Sequence, residues 1–275
     1  MVMATGILSL GADMLGLPLL ANGLFVLNWL FFIVIGLLAA LRLFCYPRRT
    51  LRDLFDHAVA PGYFTFVAGC AVLAVVATQA VAILAALLSA FAPQPLRMEM
   101  NFFALSMWLW GGMLYTWMMA LIFYRYTFFH LSPADLAPPY WINMGAMAIS
   151  TLAGSLLILN TPHAPFLHSM LPFIKGFTVF YWATGTWWIP MLVVLAIWRH
   201  GVRRFPFSYD PMYWGAVFPL GMYAASTLRM MQAMELDFLH PLPQVMFGVG
   251  LTAWVLLFSG QLRALHRQWR AGGAG

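Results

Sequence analysis

The chain has 275 residues, 63% of them hydrophobic and only 8% charged, where a soluble domain carries roughly a quarter charged residues; a water-soluble surface cannot be built from that stock. Its 14 basic and 8 acidic side chains give a formal charge of +6, which would point to nucleic acid in a soluble protein but matters by position in a membrane protein. Two cysteines, Cys45 and Cys70, form neither a disulfide framework nor a metal-ligand spacing.

The composition predicts an all-α polytopic membrane bundle. A bilayer core of about 30 Å asks for roughly 20 mostly apolar residues per helix, and eight such runs occur, at about 2–20, 22–44, 58–91, 101–124, 139–159, 173–198, 212–233 and 242–262. They are continuous rather than alternating, which favours helices over barrel strands. The first run opens in VMATGILSLGA without a basic n-region or cleavage site, so it is expected to be retained. It holds Gly6, Gly11 and Gly16 at five-residue steps, with Asp13 among small residues. The third run has 34 uncharged residues and includes Gly62 and Gly69 after Pro61; as one helix it would reach about 51 Å. Either it is one long helix protruding from the bilayer, or it breaks near Gly69 or around Thr78 and Gln79. The fifth run has Gly145 with Ala146 and Ala148, Lys175 opens the sixth as an interfacial anchor, and the seventh carries Gly215, Ala216, Phe218, Pro219, Gly221 and Arg229. Residues 1–265 read as one transmembrane domain and 266–275 as a flexible tail.

Lysine and arginine on alternate connections set the orientation. With a cytoplasmic N-terminus, the inner segments hold Arg42, Arg48, Arg49, Arg52, Arg125, Arg199, Arg203, Arg204, Arg263, Arg267 and Arg270, which is 11 of the 14 basic residues. The outer connections hold Arg97, and one carries Glu235 and Asp237. Both termini are therefore expected in the cytoplasm, and the chain in the cell inner (plasma) membrane.

Catalytic and cofactor chemistry find little support. The seven histidines lie at span ends or in loops, with no mid-membrane pair of the kind that ligates haem, and neither HExxH, GxSxG nor a phosphate loop is present. No enzyme, cofactor, metal or nucleic-acid partner is expected; the bilayer is the partner that composition implies. Ionisable groups inside a span are functional candidates by default. Arg229 could attract an anion or snorkel to the surface; Asp13 could face a wet cavity or lie at the interface. Small residues let helices approach closely. A proline within a span frees a carbonyl and bends the helix, and freed groups are tolerated beside a cavity. Pro219 is the best instance, and the ring of Phe218 before it could plug a pore.

Four segments, VMATGILSLGA, RRTLRDLFDHAVAPGYFTFVAG, PPYWINMGAMAISTLAG and FSYDPMYWGAVFPLGMYAAST, resemble the tellurite-resistance/C4-dicarboxylate transporter family. That family includes bacterial tellurite-resistance proteins, fungal malate permeases and sulfite exporters, and plant slow anion channels. The resemblance implies ten helices in five hairpins, the first helix of each lining a central anion path, and a homotrimer. It implies a phenylalanine gate, which Phe218 matches, on the helix corresponding to the seventh span. The inner helices would be the first, third, fifth and seventh spans, which offer Gly6, Gly11, Pro61, Gly62, Gly145, Gly215 and Pro219 as pore-lining or kink positions. One departure stands out: VAGCAVLAVVATQ joins directly two stretches that the family pattern separates by a hairpin. The expected function is passage of small anions, C4-dicarboxylates such as malate or succinate foremost. The alternative is a shortened, non-conducting structural or regulatory membrane subunit.

Overall fold

The computed structural model describes residues 1–45, 62–128, 136, 141–206 and 209–272. These form eight helices: α1 (Val2–Met14), α2 (Pro18–Cys45), α3 (Gly62–Ser89), α4 (Leu96–Phe128), α5 (Ile142–Leu159), α6 (Phe166–Ile197), α7 (Trp214–Met234) and α8 (Pro241–Gly272). Five apolar helical stretches, Pro18–Leu38, Leu96–Tyr124, Ile142–Leu159, Phe166–Val202 and Asp237–Arg270, are long enough to cross a bilayer. A helix satisfies its own backbone groups, the condition for standing in lipid, and the architecture is the all-α polytopic membrane bundle that the composition predicts.

Three boundaries differ from the sequence reading, and the third run takes the first of its two alternatives, the single long helix. The first run divides early: α1 stops at Met14, Gly16 takes φ +73°, and Pro18 opens α2. A glycine accepts that left-handed backbone without strain and a proline suits the first helical position. The third run is one unbroken helix from Gly62 to Ser89, about 42 Å long, with no break at Gly69, Thr78 or Gln79. Lys175 is exposed and lies nine residues inside α6 instead of opening it, because the helix starts at Phe166. At the C-terminal end α8 runs to Gly272, through most of the stretch assigned to a tail. Its residues 261–271 contain no proline or glycine to stop it.

Consecutive helices pair as hairpins, α1 with α2, α3 with α4, α5 with α6 and α7 with α8. The first members of the hairpins also pack side by side in the order α3, α5, α7, α1. Their partners lie on the outside, where α2 is largely exposed. The arc does not close: among the described residues α1 and α3 do not pack along one another.

In lipid the tails are as apolar as leucine, so helices associate through close packing and hydrogen bonds. Gly111 of α4 gives room to Gln79 of α3, whose Nε2 would lie 2.4 Å from a Cβ there, and Gln79 uses that nitrogen to donate to the Trp108 carbonyl at 3.0 Å. A Cβ on Gly154 of α5 would meet Thr178 of α6 at 2.2 Å and Trp108 of α4 at 2.9 Å. Gly221 of α7 admits Ile7 and Leu8 of α1, and Gly250 of α8 lies against Gly221 and Leu220. Tryptophan N–H groups fasten the same seams: Trp108 donates to the Ser150 carbonyl at 2.9 Å, Trp182 to Thr227 Oγ1 at 3.0 Å and Trp254 to Thr5 Oγ1 at 2.9 Å.

A polar clamp closes the end of the α3/α4 hairpin. Arg97 donates from Nε to the Ser89 and Ala92 carbonyls, each at 3.0 Å, and from Nη2 to Ala90 at 2.9 Å. This places a cation on carbonyls at and just after the end of α3, where the helix dipole favours it. Asn160 donates to the Ala86 carbonyl and to Asn101 Oδ1, both at 2.9 Å, tying α5 to the same corner. Arg97 is thus spent on helix termini.

The tightest seam gives a test. A Cβ on Gly112 of α4 would stand 1.9 Å from the Tyr181 hydroxyl oxygen of α6, and that buried hydroxyl has no hydrogen-bond partner. Gly112→Ala is expected to cost about 1–3 kcal/mol through overpacking, read as a lower thermal midpoint in detergent. Tyr181→Phe is expected to be neutral or slightly stabilising, since it deletes an unsatisfied buried oxygen, and to restore part of the loss when combined with Gly112→Ala. A double variant as unstable as the single would place the strain elsewhere.

Candidate functional site

Helix α7 is the element around which the candidate residues gather. Pro219 lies against Gly145 of α5, where a Cβ on the glycine would meet its ring at 3.0 Å, and Gly221 lies against α1. On the outer side Leu220 faces Gly250 of α8, while Tyr223 and Thr227 bond Thr186 and Trp182 of α6. At about 100° per residue, Phe218 falls between the directions of Pro219 and Gly221, and Met222, Ala225 and Arg229 fall with it inside a sector of roughly 60°. These four residues therefore line the concave side of the arc, between α1 and α5. Phe218 and Arg229 are three turns apart on that face, about 16.5 Å.

Burial changes along this face. Gly215 and Phe218 are half-buried, Met222 and Ala225 are buried, and Arg229 is half-buried again. The section between Phe218 and Arg229 is closed by side chains. Helix α5 is packed alike, since every residue from Asn143 to Ile158 is buried. Its polar side chains turn onto their own backbone: Ser150, Thr151 and Ser155 each donate to the carbonyl four residues earlier, at 2.8–2.9 Å. Pro219 has no N–H to return to the Gly215 carbonyl, so two of the predicted positions are linked by one missing hydrogen bond.

Gly145, Gly215, Phe218, Pro219 and Arg229 thus come together on or beside the concave face of α7. Gly6 and Gly11 do not join them: a Cβ on Gly6 would meet Asn28 of α2 at 3.1 Å, and one on Gly11 the Phe247 ring of α8 at 3.1 Å. Each packs closely against an outer helix. Pro61 lies outside the described residues, and Gly62 is the first residue of α3. Arg229 Nη1 donates to Gln232 Oε1 at 3.0 Å, five residues before the end of α7, where the dipole also suits a cation. Asp13 is exposed at the end of α1. Glu235 caps α7 in a left-handed conformation, φ 59°. Among the described residues no three His, Cys, Asp or Glu side chains gather to hold a metal.

Sequence reasoning missed the closed section itself. Met222 and Ala225 carry no signal in the chain, and only the periodicity from Phe218 to Arg229, at steps of four, three and four, could have found them.

Comparison with known proteins bears on what this face does. The family model described as voltage-dependent anion channel (SLAC1) matches residues 1–78 and 65–262; the two matches share residues 65–78, in α3. A membrane protein of Mycobacterium tuberculosis, described as uncharacterized, is 38% identical over 152 residues, covering 55% of this chain and 77% of its own. A protein of Methanocaldococcus jannaschii described as an uncharacterized transporter is 28% identical over 226 residues, 82% of this chain and 61% of its own, and a second from that organism is 29% identical over 151 residues. The chain spans 61% and 40% of the lengths of these two archaeal proteins. No solved structure matches it. With its helices in hairpins and the family match running almost from end to end, the chain belongs to the voltage-dependent anion channel family of multi-pass membrane transport proteins.

Proposed function

We propose that the concave face of α7 is the wall of a path for small anions, held closed between Phe218 and Ala225. The observation that carries this reading is the alignment of Phe218, Met222, Ala225 and Arg229 on one face, between the directions in which Pro219 and Gly221 meet α5 and α1. Phe218 is the gate, an apolar ring that excludes ions by blocking and dewetting. Arg229 draws anions to the far end of the closed section. Pro219, seated on Gly145 and leaving the Gly215 carbonyl free, lets that part of α7 flex. Pro61, Gly62, Gly6 and Gly11 would serve by shaping the helices that frame the path.

C4-dicarboxylates such as malate or succinate are the proposed substrates, on the sequence resemblance together with an uncharged closed section and one cation. The chain is proposed to act as a homotrimer in the inner membrane with both termini in the cytoplasm. Two features support that orientation: the basic stretches 199–204 and 263–270 follow the C-terminal ends of α6 and the membrane-crossing part of α8, and Arg97 at the opposite end is engaged in capping. A second reading, a non-conducting membrane subunit, draws on the open edge between α1 and α3 and on the complete burial of α5.

Flux in proteoliposomes separates the two. Labelled malate uptake, or current carried by chloride or nitrate, is expected above that of empty vesicles; flux equal to empty vesicles would remove the transport reading and favour the subunit. Phe218→Ala is expected to raise flux severalfold, and unchanged flux would remove the gate. Arg229→Gln is expected to lower it by about fivefold, the equivalent of ~1 kcal/mol for one charge at a wet site, with a smaller effect at high salt.

Access to the closed section can be read directly. With Cys45 and Cys70 replaced by serine, a thiol introduced as Ala225→Cys is expected to resist a charged, water-soluble thiol reagent and to become reactive when Phe218→Ala is added. Equal labelling with and without the Phe218 change would place position 225 off the gated path.

A further inference from the structure

Helix α8 is longer than the membrane needs. Its 32 residues extend about 48 Å, whereas some 20 residues cross a 30 Å core. Counted from Pro241, the crossing is complete near residue 260, and residues 261–272 continue as helix beyond it. Two faces of this overhang differ sharply. Arg263, His266, Arg267 and Arg270, at steps of three, one and three, share one side, while Leu262, Leu265 and Trp269 share the adjoining side. All three apolar residues are exposed, Trp269 by 81%. No acidic residue follows Asp237 in the sequence.

A second basic element stands beside the start of the overhang. Tyr209 lies on Gly260, so close that a Cβ there would meet its ring at 2.8 Å, and this contact brings the connection after α6 next to the point where α8 leaves the core. That connection holds Arg203 and Arg204, both exposed. The Arg203 guanidinium stands 5.3 Å over the Trp198 ring, a stacking that leaves its in-plane N–H groups available. The acidic side chain of the connection, Asp210, accepts from the Met212 N–H at 2.8 Å as a cap. A cavity of about 410 Å3 lies in the angle between the two elements, lined by Tyr209, Trp214, Gln261 and Leu265 among others.

We propose that the α8 overhang and the 203–204 turn form a binding surface for anionic phospholipids of the surrounding bilayer. The phosphates pair with Arg263, Arg267, Arg270, Arg203 and Arg204, and Leu265 lies beside them at the level of the headgroups. Charge complementarity selects an anion. The placement selects its source: the basic side continues the exposed side of the span through Val245, Val249 and Leu256, and Arg263 stands about 4.5 Å past the core, in the headgroup layer, which suits the phosphates of a bilayer and not a soluble acidic partner.

The test titrates the purified full chain with phosphatidylglycerol and with phosphatidylcholine and counts retained lipids by native mass spectrometry. The wild type is expected to retain phosphatidylglycerol preferentially. The variant Arg263→Gln/Arg267→Gln/Arg270→Gln is expected to lose that preference by on the order of tenfold, within the roughly 1 kcal/mol per residue that basic segments gain at anionic surfaces, with phosphatidylcholine retention unchanged. The corresponding triple lysine variant, which keeps the charges, is expected to keep the preference. Equal retention of both lipids by the wild type, or an undiminished preference in the glutamine variant, would overturn the proposal. Because all three arginines are exposed, an unchanged thermal midpoint should accompany the loss and separates it from misfolding.

Discussion

The contact of Pro219 with Gly145 is where the arrangement of the bundle is decided. It lets α7 approach α5 closely at the point where α7 has no intrahelical hydrogen bond to lose. Without a solvent-driven hydrophobic effect between helices, such approach is a principal source of cohesion. Once α5 is held by α7 on one side and by α6 and α4 at Gly154 on another, it has no exposed face, and its hydroxyls have only its own carbonyls to bond. The rotation of α7 is then fixed by two neighbours at once, Gly145 and the Ile7–Leu8 pair, and Phe218 is left on the concave side by elimination.

The two sides of α7 are held differently. The seams on the outer side of α7 are hydrogen-bonded, through Trp182 to Thr227 and Thr186 to Tyr223 at 3.0 and 2.7 Å. The inner side, from Phe218 to Ala225, is held by apolar packing alone among the residues that face it. A rotamer change of Phe218 or Met222 costs less than breaking a hydrogen bond inside a bilayer, so opening is easiest on the side where a path would lie. This follows from which side chains point inward, and it does not require the helices to separate.

Much of the fold was legible in the sequence because membrane spans are written in composition. Length and continuity of the apolar runs gave eight helices, and arginine placement gave their parity. The boundaries were less legible where a turn is made by backbone conformation: the Gly16 turn with Pro18 cuts the first run at a place where hydropathy does not change. Lys175 misled for the complementary reason, since a charge was read as a helix start when it lies on an exposed face nine residues in. Residue type singles out Phe218, Pro219, Gly145, Gly215 and Arg229, and the structure puts them on or beside one face of α7. Gly6 and Gly11 are less legible, because small residues look alike in sequence whether they face a lumen or a neighbouring helix. Only the coordinates of Asn28 and Phe247 tell the two apart.

The double matching of residues 65–78 adds a constraint on how such a bundle is completed. If one stretch stands for two family segments, α3 starts as one inner helix and ends as another, which fits its unbroken course from Gly62 to Ser89. An arc of four inner helices then leaves α1 and α3 as free edges, where a fifth would have closed a ring. The exposed stripes at those edges, Met3 and Leu10 on α1 and Val81, Leu84 and Leu88 on α3, are apolar, so lipid can cover them without an unsatisfied polar group. What the missing closure removes is one wall of the enclosure. The remaining walls still place Phe218 between α1 and α5, and so the proposed gate would rest on the α5–α7–α1 side of the bundle, where the packing is continuous.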